Sequence, residues 1–187
     1  MTVPILSREE QNGKVPRLSL NEQAVLGVLL LGPAAAPDLA RLFAPGGPFR
    51  PVRRLGKVQV YRALGRLLEL GLVREEGARP SPSGPPGALY ALTPQGRLWA
   101  EAWLRAPLGR LPEARVLLRL KLALHLLLGR DPRPFLLAQR EAYRALLQGL
   151  GREAEGAKGL GRVYALWWRE MAVAGLRYVE VLLEEGF

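Results

Sequence analysis

The stretch KVQVYRALGRLLELGLVREEGARPSPSGPPGALYALTPQGR, residues 57–97, decides the fold. Val60, Tyr61, Leu64, Leu67 and Leu68 recur every three to four residues, the period of a helix with one apolar face, which leaves Lys57, Gln59, Arg62, Arg66 and Glu69 on the other side. Gly71 closes that helix. Leu72-Val73-Arg74 then reads as a short strand, the Pro/Gly/Ser run containing Arg79 as a loop, and Leu89-Tyr90-Ala91-Leu92 as a second strand. Thr93 before Pro94 has the cap-and-first-turn pattern of a further helix, on which Leu98, Trp99, Ala102 and Trp103 share a face up to Pro107.

Toward the N-terminus, Ser19 followed three residues later by Glu22 is a capping-box spacing, and Ala24, Val25, Val28, Leu29 and Leu31 continue one helix until Gly32-Pro33. Pro37 suits a first-turn position, and Leu39, Ala40, Leu42 and Phe43 predict a short second helix ending before Pro45-Gly46-Gly47-Pro48. Residues 1–18 are polar, carry Pro4, Gly13 and Pro16, and show no period; they are expected to form a flexible arm. Residues 19–106 therefore read as helix, helix, basic helix, strand, wing, strand and helix. That order predicts a winged helix-turn-helix DNA-binding domain in a mainly α (α+β) chain.

Beyond Pro107 the alternation disappears. Residues 107–187 are expected to form an all-helical dimerisation domain of three helices, separated at Gly129–Pro134 and by the glycine-rich stretch Gly149–Gly161. The first is apolar nearly all round, which suits burial between other helices. Phe135, Ala138, Ala142, Tyr143, Leu146 and Leu150 give the second one stripe. On the last, Leu160, Tyr164, Trp167, Met171, Ala174, Tyr178 and Val181 alternate at spacings of four and three, the seam of a coiled coil. A seam needs a partner helix, so a homodimer is expected.

Composition narrows the function. The chain of 187 residues is 49% hydrophobic, enough for a folded core, and its formal charge of +10 favours a polyanionic partner. Between Arg50 and Arg66 it carries Arg50, Arg53, Arg54, Lys57, Arg62 and Arg66 with no acidic residue. No cysteine and a single histidine, His125, argue against a metal site or a cofactor, and His125 in its apolar helix reads as structural. The apolar run Val116–Leu128 is broken by Arg119, Lys121 and His125, so no membrane span is expected; the opening MTVPILSREEQNGK lacks the order of a secretory signal, and the expected address is cytoplasmic. An enzyme is not expected: the two aspartates, Asp38 and Asp131, fall at helix starts, and neither a phosphate loop nor a nucleophile elbow is found.

Double-stranded DNA is the partner this pattern favours. On the third helix Gln59 is the candidate to read adenine and Arg62 to read guanine or hold a phosphate, with Arg66 on the same face. Lys57, Arg53 and Arg54, in or beside the loop that opens the helix, are candidate phosphate clamps, and Arg79 at the wing reaches toward the backbone or minor groove. The alternative is a winged-helix protein-assembly module without specific DNA binding, against which the basic helix argues.

Several stretches resemble the PadR family of bacterial transcription regulators: AVLGVLLLGP (24–33), DLARLF (38–43), VYRALGRLLELGLV (60–73) and YALTPQGR (90–97). RVLLRLKLAL (115–124) and FLLAQREAYRALL (135–147) are similar to the helical C-terminal domain of longer members, the type related to virulence activators. The resemblance implies a homodimer clasped by its C-terminal helices, with two winged domains on one duplex, commonly a repressor acting on an inverted repeat. It implies a supporting or phosphate-binding role for Tyr61, the family's helix-three tyrosine. Some relatives hold a flat aromatic inducer between the winged domain and the dimer helices, and Trp99, Trp103, Trp167 and Trp168 are the candidates for such an effector pocket here. The chain departs from the family at Ala34-Ala35-Ala36-Pro37, where a His-Gly-Tyr-like stretch usually opens helix two, and in the Pro- and Arg-rich loop from Ala44 to Gly56.

Overall fold

A computed structural model describes residues 17–81 and 84–187, without the side chains of 79–86. Most of the expected N-terminal arm lies outside the described residues. Leu18 is buried in the core, and its carbonyl accepts from Gln23 Nε2 at 2.8 Å.

Helix α1 (Leu20–Val28) starts on the capping box expected of Ser19: the Glu22 N–H donates to Ser19 Oγ at 3.3 Å, and the Ser19 N–H donates to Glu22 Oε2 at 2.8 Å. A 3-10 turn, Leu29–Leu31, ends it before Gly32. Helix α2 (Ala36–Leu42) carries Pro37 in its first turn, and α3 (Lys57–Glu69) follows a loop. The α3 helix ends in a Schellman motif. Gly71, at φ 66°, lets its own N–H reach the Leu68 carbonyl at 2.9 Å and the Leu72 N–H reach Leu67 at 3.0 Å. The chain turns straight into the sheet.

Strands β2 (Val73–Ser81) and β3 (Gly84–Leu92) form an antiparallel hairpin of nine-residue strands. They are longer than the short strands expected at 72–74 and 89–92, because backbone pairing carries the ladder past the apolar residues, through Ala78 opposite Ala88. The sequence gives no sign of β1 (Ala34–Ala35), which adds to β3 on its other edge with Ala34 opposite Tyr90. The sheet order is β1-β3-β2. Three helices with this sheet make a winged helix.

Thr93 caps α4 (Pro94–Arg105), accepting from the Gly96 N–H at 3.0 Å and donating to the Gly71 carbonyl at 2.7 Å, so one hydroxyl ties the end of α3 to the start of α4. The fully buried positions of α4 are Gly96, Ala100 and Leu104; of the expected face, Trp99 and Trp103 are half-buried against the core, whereas Ala102 is exposed and Leu98 is 74% exposed. The reason is close backbone approach: a Cβ at Gly96 would overlap the Leu72 carbonyl. Trp103 lies over Gly27 of α1 and donates Nε1–H to Gln23 Oε1 at 2.9 Å.

The C-terminal half is all helix. Helix α5 (Leu111–Leu127) packs on α1, α4 and α7 of its own chain and is buried over most of its length, while Leu126 and Leu127 at its end are exposed. Helices α6 (Arg133–Gly156) and α7 (Gly159–Glu184) pack together over Tyr143, Leu150 and Ala154 on one side and Ala165, Ala172 and Val179 on the other. The expected break at Gly149–Gly161 is mostly helix. Burial of Leu150 and Ala154 outweighs the cost of about 1 kcal/mol per glycine, and the chain leaves the helix only at Ala157 and Lys158.

Where the winged and helical halves meet, polar side chains fasten the connection. Gln139, fully buried on α6, accepts from the Leu108 N–H at 2.7 Å and donates to the Leu108 carbonyl at 3.1 Å. Lys121, 1% exposed on α5, donates to the carbonyls of Trp103 and, at 2.6 Å, Ala106, at the end of α4. Arg130 grips Glu101 of α4 through two bonds of 2.6 and 2.7 Å, which holds the Glu101 carboxyl below its usual range. One apolar core runs from Leu26 through Leu117 to Val179. Among the described residues no helix is long and apolar enough to cross a membrane.

Candidate nucleic-acid interface

Helix α3 buries Val60, Ala63, Leu64 and Leu67 against α1 and α2 and turns the rest outward. Lys57, Gln59, Arg62 and Arg66 are exposed as the sequence predicts. Tyr61 is not part of the apolar face: it is 50% exposed, on the flank toward solvent.

The loop before α3 is held by its own apolar residues. Phe49 is fully buried with its ring 5.3 Å from that of Phe43, its N–H donates to the Leu42 carbonyl at 3.0 Å, and Leu55 is buried too. Anchoring these residues leaves Arg50 and Arg54 exposed. Arg53 is half-buried, with Nε–H donating to Asn21 Oδ1 at 2.9 Å, and so sits between α1 and the loop. Arg119 of α5 crosses to donate to the Pro51 carbonyl at 3.2 Å.

Gly56 caps α3 without a side chain, and its N–H donates to Gln59 Oε1 at 2.6 Å. Bidentate reading of adenine needs both ends of an amide, and this cap occupies the Gln59 carbonyl. Arg66 pairs with Glu69 at 2.9 Å, a solvent-exposed contact of small energy that a phosphate can displace. No carboxylate among the described residues pairs with Lys57, Arg54 or Arg62. The result is a band of cations around the N-terminal half of α3. Arg79 stands opposite Gly87 in the hairpin, and its side chain lies outside the described residues.

The α7 stripe is laid bare. Leu160 is 66% exposed, Tyr164 58%, Trp167 60% and Tyr178 41%; Ala174 is exposed, and Met171 and Val181 are half-buried. Of the tryptophans, Trp99 and Trp103 stack with ring centroids 6.3 Å apart, whereas Trp167 stands on the open face of α7 and Trp168 is half-buried beside it. A cavity of about 370 Å³ lies elsewhere, at the base of the wing between Leu29, Arg74, Leu92 and Arg97.

A scan against protein-family models and a search of curated proteins each return no match. Solved structures do match. Bacillus subtilis PadR in complex with operator DNA is 17% identical, the match covering 89% of this chain and 99% of that one at a TM-score of 0.45. A PadR-like transcriptional regulator from Bacillus cereus is 17% identical over 88% of this chain and 96% of its own, at 0.39. Bacillus subtilis PadR in complex with p-coumaric acid is 14% identical over 91% and 97%, at 0.38.

Proposed function

We propose that this chain is a sequence-specific, double-stranded-DNA-binding transcription regulator of the PadR kind, acting as a homodimeric repressor on an inverted repeat. The observation that carries the reading is the outward face of α3. Lys57 and Arg62, with Arg54 beside them, are exposed cations without a carboxylate partner among the described residues, on the helix a helix-turn-helix lays in the major groove. Arg50, Arg53 and Arg66 extend the band for phosphates on either side. The stripe Leu160, Tyr164, Trp167, Met171, Ala174, Tyr178 and Val181 supplies the surface for the second copy, and apolar exposure of that extent is costly for a lone chain. Ligand response rests on the Trp99–Trp103 stack, whose class of effector is a flat aromatic molecule.

The test is fluorescence anisotropy with a duplex from upstream of the coding sequence and a shuffled control, over a series of salt concentrations. The expected result is tighter binding to the upstream duplex that weakens steeply with salt, the slope falling by about one unit when one phosphate-binding cation is removed. Equal, weak binding to both duplexes contradicts the sequence-specific reading.

A further inference from the structure

Val58 is an apolar residue out of phase. At about 100° per residue it lies nearly opposite Val60, and it is 63% exposed while Val60, Ala63, Leu64 and Leu67 are buried. It gains nothing from the core, and a β-branched side chain is a poor choice for a solvated helix position. It is the second residue of α3, beside Lys57, and one turn ahead of Arg62 on the same outward line.

Gly65 continues that line, one further turn along, and is exposed. A glycine inside a helix costs about 1 kcal/mol relative to alanine. Nothing in the chain asks for it: a Cβ there would meet no atom within 4 Å. What Gly65 supplies is the absence of a side chain on the outer face of the helix.

Both departures fit one ligand. The first turns of a recognition helix meet base edges, and the apolar group that a base edge offers in the major groove is the C5 methyl of thymine. The flanking cations favour a polyanion over an apolar protein surface as the occupant. We propose that Val58 packs on a thymine methyl in each half-site and that Gly65 lets the helix backbone seat close enough for that contact. This rests on the DNA-binding reading and deepens it by naming a base.

The full-length protein is used to enrich duplexes from a random-sequence library, and each thymine of an enriched duplex is replaced in turn by deoxyuridine, which removes only the methyl. One thymine per half-site is expected to show affinity falling about four-fold on replacement, the worth of one buried methyl-sized group. Val58→Ala should bind the thymine duplex more weakly and be indifferent to that replacement. Gly65→Ala should raise the unfolding midpoint of the free protein yet weaken binding, a combination that a merely structural glycine does not give. Enrichment with no methyl dependence, or a Val58→Ala protein that keeps the dependence, overturns the proposal and leaves DNA binding standing. Failure to enrich any duplex overturns both.

Discussion

A lysine ammonium that is 1% exposed ordinarily needs a carboxylate, and Lys121 has instead two carbonyls at the end of α4 and the faces of Trp103 and Phe135, 4.9 and 5.6 Å away. Those carbonyls are among the last of a helix, unpaired within it and at the negative end of its dipole, so a donor there serves two needs. Burial nevertheless pushes the Lys121 pKa down to about 7. The unfolded chain therefore holds this proton more tightly than the folded one, and folding gains as pH rises from about 7 toward the ordinary lysine value. Lys121→Met should lose that gain: the stability difference between the native protein and the variant, measured by urea unfolding, should be larger at pH 9 than at pH 7. An unchanged difference means that the proton does not report on burial. Arg62 and Arg66 are opposite cases, exposed and outside the core. Arg62→Ala combined with Arg66→Ala should leave circular dichroism and sedimentation unchanged and weaken DNA binding at least ten-fold, as loss of about 1–3 kcal/mol per base or phosphate contact implies.

Elements show what the sequence could and could not reveal. The inner and outer faces of α3 were legible, Tyr61 excepted, because a helix turns every 3.6 residues, and Val60, Leu64 and Leu67 keep that period. The capping of α1 was legible because Ser19 and Glu22 are both polar and local. The Gln59 cap on α3 was hidden, since Gly56 has no side chain to announce it. Strand β1 was hidden as well: two alanines have no alternation, and their place is set by Tyr90 and Leu89 across the sheet. At Gly149 and Gly151 the local preference pointed the wrong way, because contacts with α7 far along the chain decided the outcome. Phe49 belongs with these, an aromatic in a Pro/Gly loop whose burial depends on Phe43. Phe49→Ala should cost about 3–5 kcal/mol in chemical unfolding, the range for a buried aromatic. It should also release the Arg50–Arg54 segment, raising backbone amide exchange there above that of α3.

At the scale of the whole molecule, a single chain exposes most of one side of a 26-residue helix, α7, while burying its other side on α6. Trp167→Glu should shift sedimentation from dimer to monomer, because a carboxylate in an apolar seam pays desolvation without a partner. A dimer that persists at low concentration would place the interface elsewhere. The connection between the halves has a further consequence. Gln139 holds both polar groups of Leu108 in the linker, Lys121 holds the end of α4, and Arg130 holds Glu101 within α4, so three side chains from the helical half fasten α4 and the linker. A shift of α5 or α6 against α4 must break these hydrogen bonds, so the junction resists movement between the two halves.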